Sequence, residues 1–135
     1  MKFSDGLWLN QRGYDVSYAV QAYDVTTTKN TIKIYATSSA IWNRAMTLGG
    51  VTFEITYTAV APDVIRVHIC HHKGSLKNKP QFDLNLPEGY VPDEIHEEEG
   101  FVSMTAGHTT VKVKKGTDGW DVSFSLSLIH ISEPT

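Results

Sequence analysis

Residues 51–59 read VTFEITYTA, and the parity of that stretch decides the fold. Val51, Phe53, Ile55 and Tyr57 fall on one face of an extended chain, with Thr52, Glu54, Thr56 and Thr58 on the other. Side chains of a strand alternate between the two faces of its sheet, so this pattern predicts an antiparallel strand with one face buried and one wet. The same period of two recurs on both sides. TIKIYAT at 31–37 sets Ile32 and Ile34 against Lys33, and TTVKVKK at 109–115 sets Val111 and Val113 against Lys112 and Lys114. VIRVHICHH at 64–72 alternates Ile65, Val67 and Ile69 with Arg66, His68 and Cys70. YDVSYAVQAYDV at 14–25 is a further strand, rich in Tyr and Val.

Turn chemistry separates these runs. Ala106–Gly107 lies between FVSMT and HTTVKV and suits a tight hairpin, and TDG at 117–119 precedes WDVSF in the same way. PEGYVPDEIHEEEG at 87–100 reads as a solvated loop crossing between sheets. SSAIWNRAMTL at 38–48 is the one helix candidate, with Ser38 or Ser39 as its cap. Many short strands punctuated by turns predict an all-β protein, an antiparallel sandwich or barrel.

The totals narrow the function. A chain of 135 residues fits one domain with a real core, and 41% hydrophobic against 20% charged residues is ordinary globular usage. A formal charge of -3 argues against a nucleic-acid surface. The densest basic run, KVKK at 112–115, reads as the wet face of a strand. Cys70 is the only cysteine, so no internal disulfide can form. The opening MKFSDGLWLNQRG lacks an apolar core behind its single Lys, so it is not a signal peptide. No apolar run approaches a membrane span. A cytoplasmic protein with no membrane partner is expected.

Chemistry-bearing clusters are sparse. HICHH places His68, Cys70 and His72 on one face of a strand, where imidazole and thiolate could hold Zn²⁺, yet no second cluster supplies a fourth ligand. Cys70 reads equally as a small buried hydrophobe. There is no G-x-S-x-G and no phosphate-binding glycine loop. Glu88, Asp93, Glu94, Glu97, Glu98 and Glu99 crowd one loop, which suits a solvated face better than the fixed carboxyl pair of a glycosidase. Trp8, Tyr14, Trp42 and Trp120 could stack on sugars, but packing is the simpler role. The residues assign no catalytic, cofactor-binding or metal site, and no cofactor.

The last ten residues, LSLIHISEPT at 126–135, are of another kind. Trp120, Val122, Phe124, Leu126 and Leu128 keep one parity, as a continuing strand would, but SEPT gives that strand no turn. The transposase adapter of shotgun sequencing libraries, read as ctg tct ctt ata cac atc tcc gag ccc acg, translates to Leu126–Thr135 without a mismatch. The expectation is a partial domain at 1–125 and a non-native, adapter-derived tail at 126–135, which leaves His130 and Glu133 outside any functional reading. A sheet cut there exposes an edge prone to aggregate.

The opening MKFSDGLWLNQRGYDVSYAVQAYDV resembles the N-terminus of bacterial α-xylosidases of glycoside hydrolase family 31. The likeness is carried by Met1, Lys2, Phe3, Ser4, Asp5, Gly6, Trp8, Leu9, Gly13, Gln21, Tyr23 and Val25. It continues through residues 64–86 on Arg66, Val67, His71, Gly74, Leu76, Pro80, Phe82, Leu84 and Asn85. NQRG departs from the family's usual apolar residue before P-G, and the second His of HH is an addition. The resemblance implies a β-sandwich of the galactose-mutarotase-like kind, incomplete here, that precedes a (β/α)₈ barrel in a retaining enzyme. That enzyme would release α-linked xylose or glucose in carbohydrate metabolism. The two catalytic Asp residues of the family belong to the barrel, so none is carried over. The implied partners are that missing barrel, an α-xyloside or α-glucoside bound by the parent, and further copies in a homo-oligomer. The fragment itself would be a non-catalytic scaffold. A self-standing carbohydrate-binding module using exposed Trp and Tyr is the alternative, and a zinc-binding β protein using His68, Cys70 and His72 is a third reading.

Overall fold

A computed structural model describes residues 10–72, 74–75 and 82–127. The opening motif at 1–9 with Trp8, the residues Leu76 and Pro80, and the tail from Leu128 onward lie outside the described residues. The chain is an all-β sandwich of two antiparallel four-stranded sheets. The first is formed in order by β1 (Gln21–Thr27), β2 (Thr31–Thr37), β3 (Thr52–Ala61) and β4 (Val64–Cys70). The second holds β5 (Glu94–Glu97), β6 (Phe101–Ala106), β7 (Thr109–Lys114) and β8 (Val122–Leu126). Each strand pairs with its sequence neighbour, which is what short turns and antiparallel ladders favour.

The period-two reading fixes the core. Ile32, Ile34 and Ala36 of β2 and Ile55, Tyr57 and Ala59 of β3 point inward. They meet Val102, Met104 and Ala106 of β6 and Val111 and Val113 of β7. Ile34 and Ile55 are directly opposed across the β2–β3 ladder, as are Val102 and Val113 across β6–β7. The outward positions are polar, as Lys33–Glu54 (3.3 Å) and the Thr105–Thr110 hydroxyl pair (2.9 Å) illustrate. KVKK is the wet face expected. Lys112 lies 3.7 Å from the Phe101 ring centroid, and Lys115 bonds the Glu97 carboxylate at 2.8 Å.

Four local expectations need correction. The 14–25 run forms a strand only from Gln21 onward. The helix candidate is a single 3₁₀ segment, η1 (Arg44–Leu48), with Asn43 in the cap position, and Ser38 serves instead as acceptor for the Val51 amide (2.7 Å). With no apolar face to bury, a longer helix has nothing to hold it. The acidic loop contains a strand, since Ile95 sits between Glu94 and His96 and pairs with Met104. Flanking acids on such a short outer strand are how sheets discourage edge-to-edge pairing. Finally, the inward side of β4 is not covered: Val67 is 41% and Ile69 61% exposed.

One corner pins the sheets together. Asp63, in the β3–β4 turn with φ +64°, takes hydrogen bonds from the amide and Nδ1 of His108 in the β6–β7 hairpin. Its own amide donates to Ala106 O (3.1 Å), and Thr109 Oγ1 donates to Asp63 O (3.1 Å). Asp93 Oδ2 accepts from the Gly107 amide (2.6 Å). The His108 amide holds the Asp63 carboxyl below the usual carboxylate range. A second link runs from Thr27 Oγ1 to Glu97 Oε2 (3.2 Å).

Candidate functional site

In β1 the sequence Ala22-Tyr23-Asp24-Val25 breaks strict alternation. Ala22 and Val25 both pack on the core, so Tyr23 and Asp24 are left together on the solvent side. The ladder records this as a shift: Ala22 opposes Ala36 and Asp24 opposes Tyr35, with Tyr23 unpaired between them. A bulge of this kind re-aims side chains and bends its strand. The result is a cleft of about 640 Å³ on the outer face of the first sheet. Tyr23 and Asp24 line it from β1, Tyr35 and Thr37 from β2, and Thr52 from β3. Its far wall is the β2–β3 connection, through Ile41 and Thr47.

Several bonds hold that wall. The buried Gln21 side chain accepts from the Ile41 amide (2.8 Å), the Ser38 amide donates to Val51 O (3.0 Å), and Thr47 Oγ1 donates to Arg44 O (2.7 Å). Thr37 is only 5% exposed, and its Oγ1 has no hydrogen-bond partner among the described residues. Lys33 sits 5.0 Å from the Tyr35 ring centroid, and a hydrogen bond to Tyr35 helps raise its pKa above the ordinary lysine value.

A smaller cleft of about 220 Å³ shares Tyr35 and Thr52 and reaches Glu54, Cys70, His71 and His72. His68 and Cys70 oppose Thr56 and Glu54 on the outer face of the β3–β4 ladder. Among the described residues, no three His, Cys, Asp or Glu side chains gather closely enough to hold a metal ion. The acids of the 88–99 segment are exposed and dispersed into separate contacts, Asp93 to Gly107 and Glu97 to Lys115. Trp42 is free-standing at 73% exposed, whereas Trp120 packs against the core.

The open mouth of the sandwich forms a third surface, an apolar cleft of about 510 Å³. Tyr57, Val67 and Ile69 make one wall, and Trp120, Val122 and Phe124 the other. The Tyr57 and Phe124 rings lie 6.3 Å apart at 51°, and burial pushes the Tyr57 phenol up to about 12. Phe82 and Leu84, in the segment carrying the family resemblance, are also exposed. None of the described helices is long and apolar enough to cross a membrane.

Sequence reasoning missed the bulge cleft. Its signal was present as the three-residue spacing of Ala22 and Val25, which strict alternation forbids. The burial of Thr37 had no local signal.

No protein-family model matches the chain. Over 118 residues, 87% of its length, the chain is 30% identical to alpha-xylosidase XylQ of Lactiplantibacillus pentosus, of which it spans 15%. Over 113 residues, 84% of its length, it is 28% identical to an alpha-xylosidase of Emericella nidulans, of which it spans 14%. The chain therefore covers about a seventh of the length of these relatives. An all-β sandwich is thus similar, along nearly all of itself, to a small part of two proteins named alpha-xylosidases.

Proposed function

We propose that this chain is a non-catalytic β-sandwich portion, galactose-mutarotase-like, of a cytoplasmic retaining α-glycosidase of the family 31 type. The parent acts on α-xylosides or α-glucosides, and the sandwich supports its catalytic barrel and the wall of its cleft. The full-length enzyme is a homo-oligomer. Residues 126–135 belong to an adapter rather than to the parent. The reading rests on one asymmetry: almost nine-tenths of the chain aligns with about a seventh of an enzyme.

The uncovered mouth lends physical support. Val67, Ile69 and Phe124 point to the core side of their sheets and yet are 41%, 61% and 56% exposed. Burying such side chains stabilises a protein by roughly 1.5–3 kcal/mol each. Neighbouring structure of the parent would supply that burial. The purified chain is expected to leave an aryl α-xyloside unhydrolysed. Turnover above the buffer rate, lost on heating the protein, would overturn the scaffold role.

A further inference from the structure

We propose that residues 82–86 form a strap that closes onto the free edge of β4 as an antiparallel fifth strand. Phe82 then lies beside Ile69, Leu84 beside Val67 and Leu86 beside Ile65. Two independent features lead there. The stretch FDLNL alternates strictly, with Phe82, Leu84 and Leu86 on one parity and Asp83 and Asn85 on the other. That is the pattern of a strand with one apolar face, yet all five residues are exposed and none belongs to a strand. The Leu86 amide donates to Leu84 O (2.9 Å), the only backbone bond of residues 82–86 among the described residues. β4 has the matching need. It is the last strand of its sheet, pairs only with β3, and offers a row of unpaired backbone groups.

The course of the chain sets the direction. β4 leaves the Asp63 corner at Val64 and ends at Cys70. The chain is back at that corner by Asp93, whose carboxylate takes the Gly107 amide beside the His108 amide held by Asp63. In between it travels the length of β4 in reverse, so a strand formed on the way lies antiparallel to β4. At about 3.4 Å per residue, five residues reach along most of the seven in β4. Eleven residues separate Cys70 from Phe82, where an antiparallel pair can be joined by two. Parity then selects the register. A slip of one residue would turn Phe82, Leu84 and Leu86 to the outer side with Arg66 and His68. The register given keeps them on the inner side with Val67 and Ile69, and it sets Asp83 opposite His68 and diagonal to Arg66, a favourable charge pair. The structure holds the strap off the edge, and the closed form is the second state of a two-state element. Burial of Phe82 and Leu84 beside Val67 and Ile69 favours closure, which also shields an edge open to pairing with other chains. The strap lies beside β4 rather than over it, so the mouth stays open toward Phe124. The proposal does not depend on the scaffold role: that reading falls on turnover by the chain alone, this one on pairing at the β4 edge.

The test follows amide hydrogen exchange and interstrand NOEs in the isotope-labelled 135-residue chain. NOEs from Leu84 to Val67 are expected, with slow exchange at the alternate β4 amides that face away from β3. A double variant, Phe82→Ser with Leu84→Ser, removes the apolar drive and should lose both signals. Amides of β2 and β3 should keep their rates in it, because both replaced side chains are exposed. Asp83→Arg should speed exchange at the same β4 amides, and adding Arg66→Asp should slow it again. Wild-type edge amides that exchange as fast as those of the double variant would overturn the strap. So would protection that rises with protein concentration, which assigns the edge to a second copy, or NOEs that place Leu84 opposite Arg66 or His68. Should the double variant fail to fold, the Leu84–Val67 NOEs of the wild-type chain decide alone.

Discussion

A Cβ on Gly107 would collide with Asp63 Oδ1 and lie 2.9 Å from the Asp63 amide nitrogen. Gly107 also has φ +61°, where an L side chain costs about 1–2 kcal/mol. Gly107→Ala is therefore expected to lower the unfolding free energy by at least about 2 kcal/mol, read from urea midpoints. In a double-mutant cycle with Asp63→Ala the effects should be far from additive, because one substitution already breaks the corner the other depends on. The same corner gives a pH dependence. Asp63 has a folded-state pKa below its unfolded value, mainly through the His108 amide, and Glu97 is lowered likewise by Lys115. Their contribution is present above the ordinary carboxylate pKa of about 4 and is lost as pH falls through the lower folded values. Asp63→Asn should start from a lower urea midpoint at neutral pH and lose less of it on acidification. Salt should shrink the difference, since both partners are 41–49% exposed. Nothing local announced this corner: Asp63 and His108 stand 45 residues apart, and only the folded topology joins them.

Strands were legible where one face is buried and one is wet. β2, β3 and β7 satisfy that condition, and the alternation of Ile32, Ile34, Val111 and Val113 with lysines, and of Phe53, Ile55 and Tyr57 with Thr and Glu, gave their facing, whereas β6 was legible only as one arm of the Ala106–Gly107 hairpin. Legibility fell off at the margins. β5 is short and flanked by acids, so Ile95 alone could not outweigh its neighbours. β4 reads in the sequence like an interior strand, but its position as the last member of its sheet leaves its inner face open. The contrast can be measured on two isoleucines of equal volume. Ile34, with no exposed surface at the centre of β2, should cost about 2–5 kcal/mol when replaced by Ala. Ile69→Glu at the mouth should change the urea midpoint little, while lowering concentration-dependent self-association measured by sedimentation velocity. A large loss of stability from Ile69→Glu would mean that the mouth is closed in solution.

At the scale of the molecule, the two sheets share a dry interior at β2, β3, β6 and β7 and part company toward β4 and β8. An assembly like that holds only as long as β8 stays on the ladder, because Phe124 and Val122 oppose the fully buried Val111 and Val113. Leu126 still pairs with Thr109, and the Ser127 amide donates to His108 O (2.8 Å), so the ladder outlasts Ser125 by two residues. Whatever the origin of residues 126–135, those two bonds tie the first of them to the hairpin that carries the Asp63 corner. A trimming series separates the consequences. A chain ending at Ser127 should match the 135-residue chain in urea midpoint, because it keeps every described pairing of β8. Ending at Ser125 should lower the midpoint modestly, by the Leu126 and Ser127 contacts. Ending at Asp121 removes β8 altogether, uncovers Val111 and Val113, and should leave a chain that binds a hydrophobic dye strongly and no longer unfolds in one cooperative step. Equal midpoints across all three truncations would mean that β8 contributes nothing to the sandwich, and that its apolar side chains are surface rather than an unfinished core.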